Sequence, residues 1–480
     1  MTARMTKSVT TKSVTRVDNR FVIAPQIWQI LMMLGPLLWS KDSLMSILAT
    51  NTLLQVVVGL HVSHAIWKGR RFEEIYRIYL PFLVSYAFCD EKMMQVNIVM
   101  SLNGLFTTLD ATINSQLFNL AGQIVVLQVF FPYEQISAIK GLIINHLVDQ
   151  WLEDIGELKS LDQIDCNLFS ILITNCFMMN GKNIPNYFLV LKGTLLSLIM
   201  VITINHILVK FNKSLTHSLI LLTNIGTLFP IFVNLMIDFS RETIKSPIMW
   251  LIHFIQESQI RQFIICGWAS ILITFIPLVL LFKSKISLNT SRKIWHFMIF
   301  LLIVKPFKLD PEFVKIALCG TIPCFLTVEY IRYLKIEPYG TQLDTFLRSF
   351  ADHRDQKGPL IVSYIYLITG ISIPLLLFDS PVGLISLGVG DSLASIVGKK
   401  IGRVKWLGTA KTVEGTIAFI AGTTIISLIL KYYLNYFSTV SVFDILLLCS
   451  AGGILEGNSE LNDNILIPIF MVSMEKILTH

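Results

Sequence analysis

The stretch Gly388-Val-Gly-Asp-Ser-Leu-Ala-Ser-Ile-Val-Gly-Lys-Lys-Ile-Gly-Arg403 runs on through Lys405-Trp406-Leu-Gly-Thr-Ala-Lys-Thr-Val-Glu-Gly-Thr416, and it decides how the chain folds. Gly390, Ala394, Gly398 and Gly402 recur at every fourth position. Such a small-residue stripe lets helices approach closely in lipid, where no hydrophobic drive acts between them. Packing does not account for Asp391, because a carboxylate at the start of such a stripe is costly unless it is wet, paired or metal-bound. Nor does it account for Lys399, Lys400, Arg403, Lys405 and Lys411, gathered with Glu414 between Asp391 and Thr416. Glycines let backbone approach phosphate oxygens, lysines neutralise their charge, and a carboxylate holds the Mg²⁺ that bridges them. The stretch reads as a helix-packing element and a phosphate-handling site at once.

Familiar nucleotide motifs are absent. Gly388-x-Gly390 is not completed to GxGxxG, and Gly398-Lys399 is followed by Lys400 in place of Ser or Thr, so this is no Walker A loop. A membrane fold of its own is implied.

The rest of the composition agrees. The 480 residues are 53% hydrophobic and only 15% charged, with mean hydropathy +0.65, whereas a soluble domain is roughly 25% charged. Bilayer-length apolar runs recur along the whole chain, about twelve to fourteen of them. The expected fold class is all-α, a polytopic transmembrane helical bundle in contact with membrane lipids. The net charge of +7 comes from 39 Lys plus Arg against 32 Asp plus Glu, confined to short loops and the first twenty residues. That distribution reads as membrane topology. No basic patch with interleaved aromatics occurs, so no nucleic-acid partner is expected. The seven cysteines form no CxxC pair, which indicates neither a zinc site nor a disulfide framework.

Three regions can be told apart. Residues 1–20 are basic and Ser/Thr-rich, with TKSVT repeated at Thr6 to Thr10 and Thr11 to Thr15; they read as a disordered cytoplasmic tail, although a mitochondrial presequence has similar composition. Residues 21–282 are a transmembrane region with few chemical signals. Its ionisable His61, His64, His146 and His206 share no spacing. Residues 283–480 form a transmembrane catalytic region, where the apolar runs shorten and the loops become polar. The spans expected there are Trp295 to Val304, Phe313 to Ile331, Leu360 to Phe378, Val382 to Gly398, Gly415 to Leu430, Phe443 to Leu455 and Ile465 to Ile477. Short spans are tolerated where helices border a water-filled site.

Since pairs of spans return the chain to one side, the loops 283–293, 332–359, 399–411 and 456–464 are co-facial. The first three carry most of the Lys and Arg, against little more than Lys305, Lys308 and Lys431 in the intervening loops. The positive-inside rule places the motif loops in the cytoplasm.

These residues resemble a known family. The 388–416 stretch closely resembles the dolichol kinase family, within the wider group of polyprenol and phytol kinases and CTP-using membrane enzymes. The resemblance spans about residues 290 to 470. Ser291-Arg-Lys-Ile-Trp-His296 is similar to its RK-then-His signature, and Glu329 with Arg332 to its E-x-x-R. Phe350-Ala-Asp-His-Arg-Asp-Gln-Lys-Gly358 resembles its F-x-D-x-R-D loop, and Glu456 with Asp463-Asn464-x-x-x-Pro468 its closing pattern. Glu456-Gly457-Asn458 departs from the usual Glu-Ala and an aromatic or Thr.

The resemblance implies CTP-dependent phosphorylation of the terminal hydroxyl of dolichol, giving dolichyl phosphate for glycosylation at the endoplasmic reticulum membrane. It implies a CTP-binding stretch within 388–416, with Gly388, Gly390, Ser392, Gly398, Lys399, Lys400, Gly402, Arg403, Trp406, Gly408, Thr409, Lys411, Thr412 and Gly415 as candidates. Lys399, Lys400, Arg403 and Lys411 are expected to cradle the triphosphate, and Trp406 to stack on cytosine. The expected catalytic set is Asp391, Glu414, Asp463, His296 and Arg292. Asp391, Glu414 and Asp463 are the candidate Mg²⁺ ligands, and each is a candidate base for the alcohol proton.

Two rival readings share parts of the pattern. A lipid cytidylyltransferase uses the same nucleotide and metal but expels pyrophosphate, and another prenol kinase differs only in the alcohol. A transporter places ionisable residues at broken helices between inverted repeats, and no such repeat is found. The topology makes one prediction. The sequons Asn212-Lys213-Ser214 and Asn289-Thr290-Ser291 lie on the wrong face for glycosylation and stay unmodified, whereas a glycan on either contradicts the assigned sidedness.

Overall fold

A computed structural model describes residues 91–103, 113–130 and 135–479, apart from 158, 180–183, 212–216, 240–241, 243, 283–286, 352–354, 357, 407–408 and 460–461. The expectations for the tail 1–20, for His61 and His64, and for the sequon at Asn212 lie outside the described residues.

Helices make up the fold. An amino-terminal group holds α1 (Glu91–Met100), α2 (Ile113–Phe130), α3 (Gln135–Gly156) and α4 (Gln163–Met178). Next come α5 (Asn186–Phe211), α6 (His217–Met236), α7 (Pro247–Gln256) and α8 (Gln259–Phe282). The carboxy-terminal region holds α9 (Leu288–Leu309), α10 (Pro311–Tyr333), α11 (Gly340–Arg348) and α12 (Ser363–Phe378). It ends with α13 (Val382–Ile401), α14 (Val413–Leu434), α15 (Val442–Asn458) and α16 (Asp463–Thr479). Among the described residues there is no strand, only an isolated antiparallel bridge between Lys405 and Thr412. This is the all-α polytopic bundle the composition implies.

Among the described residues six helices are long and apolar enough to cross a bilayer: α5, α6, α8, α10, α13 and α14. The shorter α12, α15 and α16 pack among them, α12 on α16 and α15 between α14 and α16. The described residues therefore hold fewer bilayer-length helices than the sequence leads one to expect of the whole chain. Burial separates lipid-facing helices from enclosed ones. Only 11% of the apolar stretch of α6 or of α8 is buried, against 67% for α13. The helix with the glycine stripe is thus the most enclosed of the six.

The stripe explains that position. A Cβ on Gly390 would lie 2.6 Å from the Phe419 ring and 2.7 Å from the Thr423 methyl, and one on Gly415 would lie 2.9 Å from the Ala394 carbonyl. Small residues are what let α13 and α14 close to this distance. On the other side Gly388 sits under Phe300 of α9, 2.7 Å from where a Cβ would stand. Between these contacts, residues Ile385–Gly390 form a π-helical turn. Such a turn inserts one residue and re-aims the next turn of helix, and it is common beside functional groups. The first residue after it is Asp391.

One helix start differs from the sequence expectation. The span read as Trp295 to Val304 begins earlier, at Leu288, because the Ser287 hydroxyl accepts the Thr290 amide at 3.2 Å. Arg292, Lys293 and His296 therefore stand on the first turns of a helix and share one side of it. Asn289 is also helical, and its amide donates to Ser395 Oγ at 2.9 Å.

The loop after α10 is held by a buried charge cluster. Arg332 donates to Glu329 at 2.8 and 2.5 Å, to Asp344 at 2.6 Å and to the Pro359 carbonyl at 2.6 Å. Glu329 also accepts from the Ile361 amide and the Tyr364 hydroxyl, each at 2.7 Å. The i,i+3 pair is thus a scaffold that fixes Asp344, Pro359 and Ile361 against the end of α10. With Arg332 only 2% exposed, Arg332→Ala strands a buried carboxylate and lowers stability by about 3–5 kcal/mol. Arg348 shares Asp344 at 2.9 Å from a half-exposed position, so Arg348→Ala costs less than about 1 kcal/mol. Thermal unfolding of both variants in detergent measures the contrast; equal losses contradict it.

Candidate active site

Residues from all four polar loops meet at one cavity of about 370 Å³, within the range of small-molecule sites. Arg292, Lys293 and His296 come from α9, residues between Asp391 and Lys399 from α13, Lys411 and Thr412 from the link before α14, and Gly415 from its first turn. Glu456 closes α15 and Asp463 opens α16.

The link between α13 and α14 folds back on itself. Trp406 N–H donates to the Lys411 carbonyl at 3.0 Å, and Val413 N–H to the Val404 carbonyl at 2.8 Å. Glu414 caps this turn, accepting the Arg403 and Val404 amides at 2.9 and 3.2 Å. Thr412 caps α14 by accepting the Gly415 amide at 3.2 Å. The Thr409 hydroxyl donates to the Gly457 carbonyl at 3.2 Å, and the Trp406 indole donates to Thr416 Oγ1 at 2.9 Å. These bonds tie the link to the ends of α14 and α15 and aim Lys411 inward.

Three carboxylates converge there. Asp391, Glu456 and Asp463 each offer an oxygen, and the three lie within 4.8 Å of one another. Lys411 Nζ donates to Glu456 at 2.7 Å and to Asp463 at 3.1 Å. Burial opposes the Lys411 charge, but Asp463 and Glu456 outweigh it and hold the ammonium above the ordinary lysine pKa. Lys293 donates to Asp391. His296 Nδ1 lies 3.3 Å from the same Asp391 oxygen, yet it is buried and makes no hydrogen bond. Hard oxygen donors in such a cluster suit a divalent cation like Mg²⁺, and an orphaned buried imidazole nitrogen beside them marks a centre whose polar groups are incompletely satisfied.

Several expected residues come together as lining: Asp391, Asp463, His296, Arg292, Gly398, Lys399, Lys411, Thr412 and Gly415. Glu414 does not join the carboxylates; its side chain holds the link, and the carboxylate beside Asp391 and Asp463 is that of Glu456. Lys400 and Arg403 are exposed and outside the lining. Gly388, Gly390 and Gly402 serve close packing. Ser392 is buried, with no hydrogen bond to its hydroxyl. Trp406 packs against Gly457, where a Cβ would stand 2.5 Å from the indole nitrogen, and it does not line the cavity. Gly408 lies outside the described residues.

The amino-terminal half contributes residues that carry no signal in the sequence. Ser160 and Asp165 also line the cavity. The Ser160 hydroxyl accepts the Leu360 amide at 2.9 Å and donates to the Leu360 carbonyl at 3.1 Å. Asp355 lines the same cavity; it is buried and accepts the Val362 amide at 2.9 Å, at the start of α12. A serine 200 residues from its partner leaves no local signal.

Known proteins share much of this chain. The family described as dolichol kinase N-terminal domain matches residues 37–180, and the one described as dolichol kinase matches residues 154–373. A dolichol kinase of Saccharomyces cerevisiae is 46% identical over 436 residues, covering 88% of this chain and 81% of that protein. One of Schizosaccharomyces pombe is 32% identical over 62% of this chain and 64% of its own. The human dolichol kinase is 31% identical over 48% of this chain and 47% of its own. No solved structure matches. With the Saccharomyces cerevisiae relative matched over most of both lengths, the chain belongs to the dolichol kinase family.

Proposed function

We propose that this chain is a dolichol kinase that transfers the γ-phosphoryl group of CTP to the terminal hydroxyl of dolichol. The observation that carries the reading is the cavity itself: three carboxylates and a ring of cations from the polar loops, at the end of a membrane bundle. A lipid alcohol keeps its chain in the bilayer and its hydroxyl at the interface, and the nucleotide arrives through water. The two meet only at such a place. The excess of Lys and Arg in the motif loops supports a cytoplasmic site, and the family supports the endoplasmic reticulum membrane.

Phosphoryl transfer asks mainly for positioning and charge stabilisation. In this reading Lys399, Lys411, Arg292 and Lys293 hold the phosphates, and the small residues Gly398 and Gly415 leave room for their approach. Thr412 keeps its hydroxyl on the Gly415 amide and so fixes the turn that carries Lys411. Asp391, Glu456 and Asp463 hold the divalent cation, whose charge neutralises the transferring group. One carboxylate of this trio takes the alcohol proton. Lys293 pairs with Asp391 and holds it in place, and His296 Nδ1 lies 3.3 Å from the same carboxylate. Glu414 acts on the site only through the link it caps.

Membranes containing the chain, supplied with γ-labelled CTP and ATP in parallel, test the reaction. Label from CTP appears on dolichol; label in pyrophosphate instead indicates a cytidylyltransferase, and transfer from ATP alone refutes the choice of donor. Variants test the roles. Asp391→Asn and Glu456→Gln abolish turnover, by about 100-fold or more, while the protein still folds and inserts. Glu414→Gln keeps an oxygen for the Arg403 and Val404 amides and retains activity within about tenfold of the parent. A Glu414→Gln loss as deep as that of Glu456→Gln contradicts this division of labour.

A further inference from the structure

We infer that Lys411 is an internal cation that occupies the carboxylate centre in the free enzyme and moves to the nucleotide phosphates when the metal–nucleotide complex binds. The inference rests on the carboxylate centre proposed above and concerns how it is loaded.

The geometry gives the reason. Lys411 Nζ sits between Glu456 at 2.7 Å and Asp463 at 3.1 Å, donating to two of the three carboxylates whose oxygens lie within 4.8 Å of one another. A divalent ion on those oxygens and an ammonium in hydrogen-bond contact with them compete for the same lone pairs. They also repel at short range in a medium of low effective dielectric constant. The third carboxylate, on Asp391, is already partnered by Lys293. With both lysines seated, three negative charges face two positive ones, a balance that attracts a divalent ion weakly.

The second observation is His296. Its Nδ1 is buried without a hydrogen bond while lying 3.3 Å from Asp391. Three carboxylates against two lysines leave the centre one positive charge short, beside an imidazole nitrogen that makes no hydrogen bond, as expected of a site holding a substitute cation.

Lys411 can make the exchange. Its side chain is 28% exposed toward the cavity, and a four-carbon stem lets the ammonium swing while the backbone stays fixed. The backbone is fixed, because the Lys411 carbonyl accepts the Trp406 amide at 3.0 Å and the neighbouring Thr412 caps α14. Leaving Glu456 and Asp463 without a new partner would strand the buried Glu456 carboxylate. Metal and phosphate arriving together avoid this, since the metal takes the carboxylates and the phosphate takes the ammonium. Metal alone brings Lys411 no anion in exchange. The free protein therefore takes up the metal–nucleotide complex and resists bare metal, so an unproductive ion does not block the site.

Mn²⁺ binding to the purified full-length chain in detergent, followed by the electron paramagnetic resonance signal of free Mn²⁺, tests this without reference to turnover. The parent protein binds Mn²⁺ weakly alone and at least about tenfold more tightly with a non-transferable CTP analogue. Lys411→Met binds Mn²⁺ alone about tenfold more tightly than the parent, and adding Asp463→Asn removes the gain. Lys411→Arg, which keeps the charge, shows no gain. The inference is overturned if Lys411→Met binds bare Mn²⁺ no better than the parent, or if Lys411→Arg gains as much. Should Lys411→Met fail to fold, Lys411→Gln replaces it, and a parent protein that binds bare Mn²⁺ as tightly as it does with nucleotide overturns the inference by itself. If no form binds Mn²⁺, with or without nucleotide, the carboxylate centre itself is wrong as well.

Discussion

Charge placed inside a membrane bundle has to be neutralised at close range, and the buried carboxylate of Asp391 imposes that demand on the rest of the structure. It stands just after the π turn of α13, the most enclosed of the long helices. Lys293 and His296 reach it from α9, so charge as well as the close seat of Gly388 under Phe300 fixes how α9 and α13 meet. Glu456 makes the same demand at the end of α15, and Lys411 answers it from the link. Glu329 makes it at the end of α10, and Arg332 answers.

These solutions differ in completeness, and the difference separates scaffold from site. Around Arg332 every strong partner is present: two carboxylates, a carbonyl, an amide and a tyrosine hydroxyl close the cluster. Nothing is left to bind a ligand. Around Asp391 three carboxylates share two lysines beside an unbonded imidazole nitrogen, and the cluster opens on a cavity. A fully compensated network rigidifies its loop, whereas an incompletely compensated one has capacity for an incoming cation and anion.

Much of this arrangement is legible in the amino-acid sequence, for specific physical reasons. The four-residue spacing of Gly390, Ala394, Gly398 and Gly402 marks a packing face, because helical periodicity alone puts those residues on one side. Asp391 stands out because a packing face gives no reason for a charge. Glu414 and Glu456 cannot be ranked that way. Glu414 adjoins the basic stretch in sequence, but the link folds so that its carboxylate caps the Arg403 and Val404 amides. Glu456 is 45 residues from Lys411 and meets it only when α14 and α15 pair. Trp406 reads as available for stacking, but in the fold Gly457 and Thr416 enclose its nitrogen. Ser160 and Asp165 are ordinary polar residues until the fold carries them to the cavity. Local spacing reports what one helix does, and side chains that meet across helices lie beyond it.

The proposed function depends above all on Asp391, Glu456 and Asp463 forming one cation centre that serves a triphosphate. A crystal structure with Mn²⁺ and a non-transferable CTP analogue, measured for anomalous scattering at the Mn²⁺ edge, tests this most directly. The expected result is a Mn²⁺ peak within coordination distance of these three carboxylates, with the Lys411 ammonium on phosphate oxygens. A peak on Glu414, or elsewhere with the three carboxylates unliganded, would contradict it.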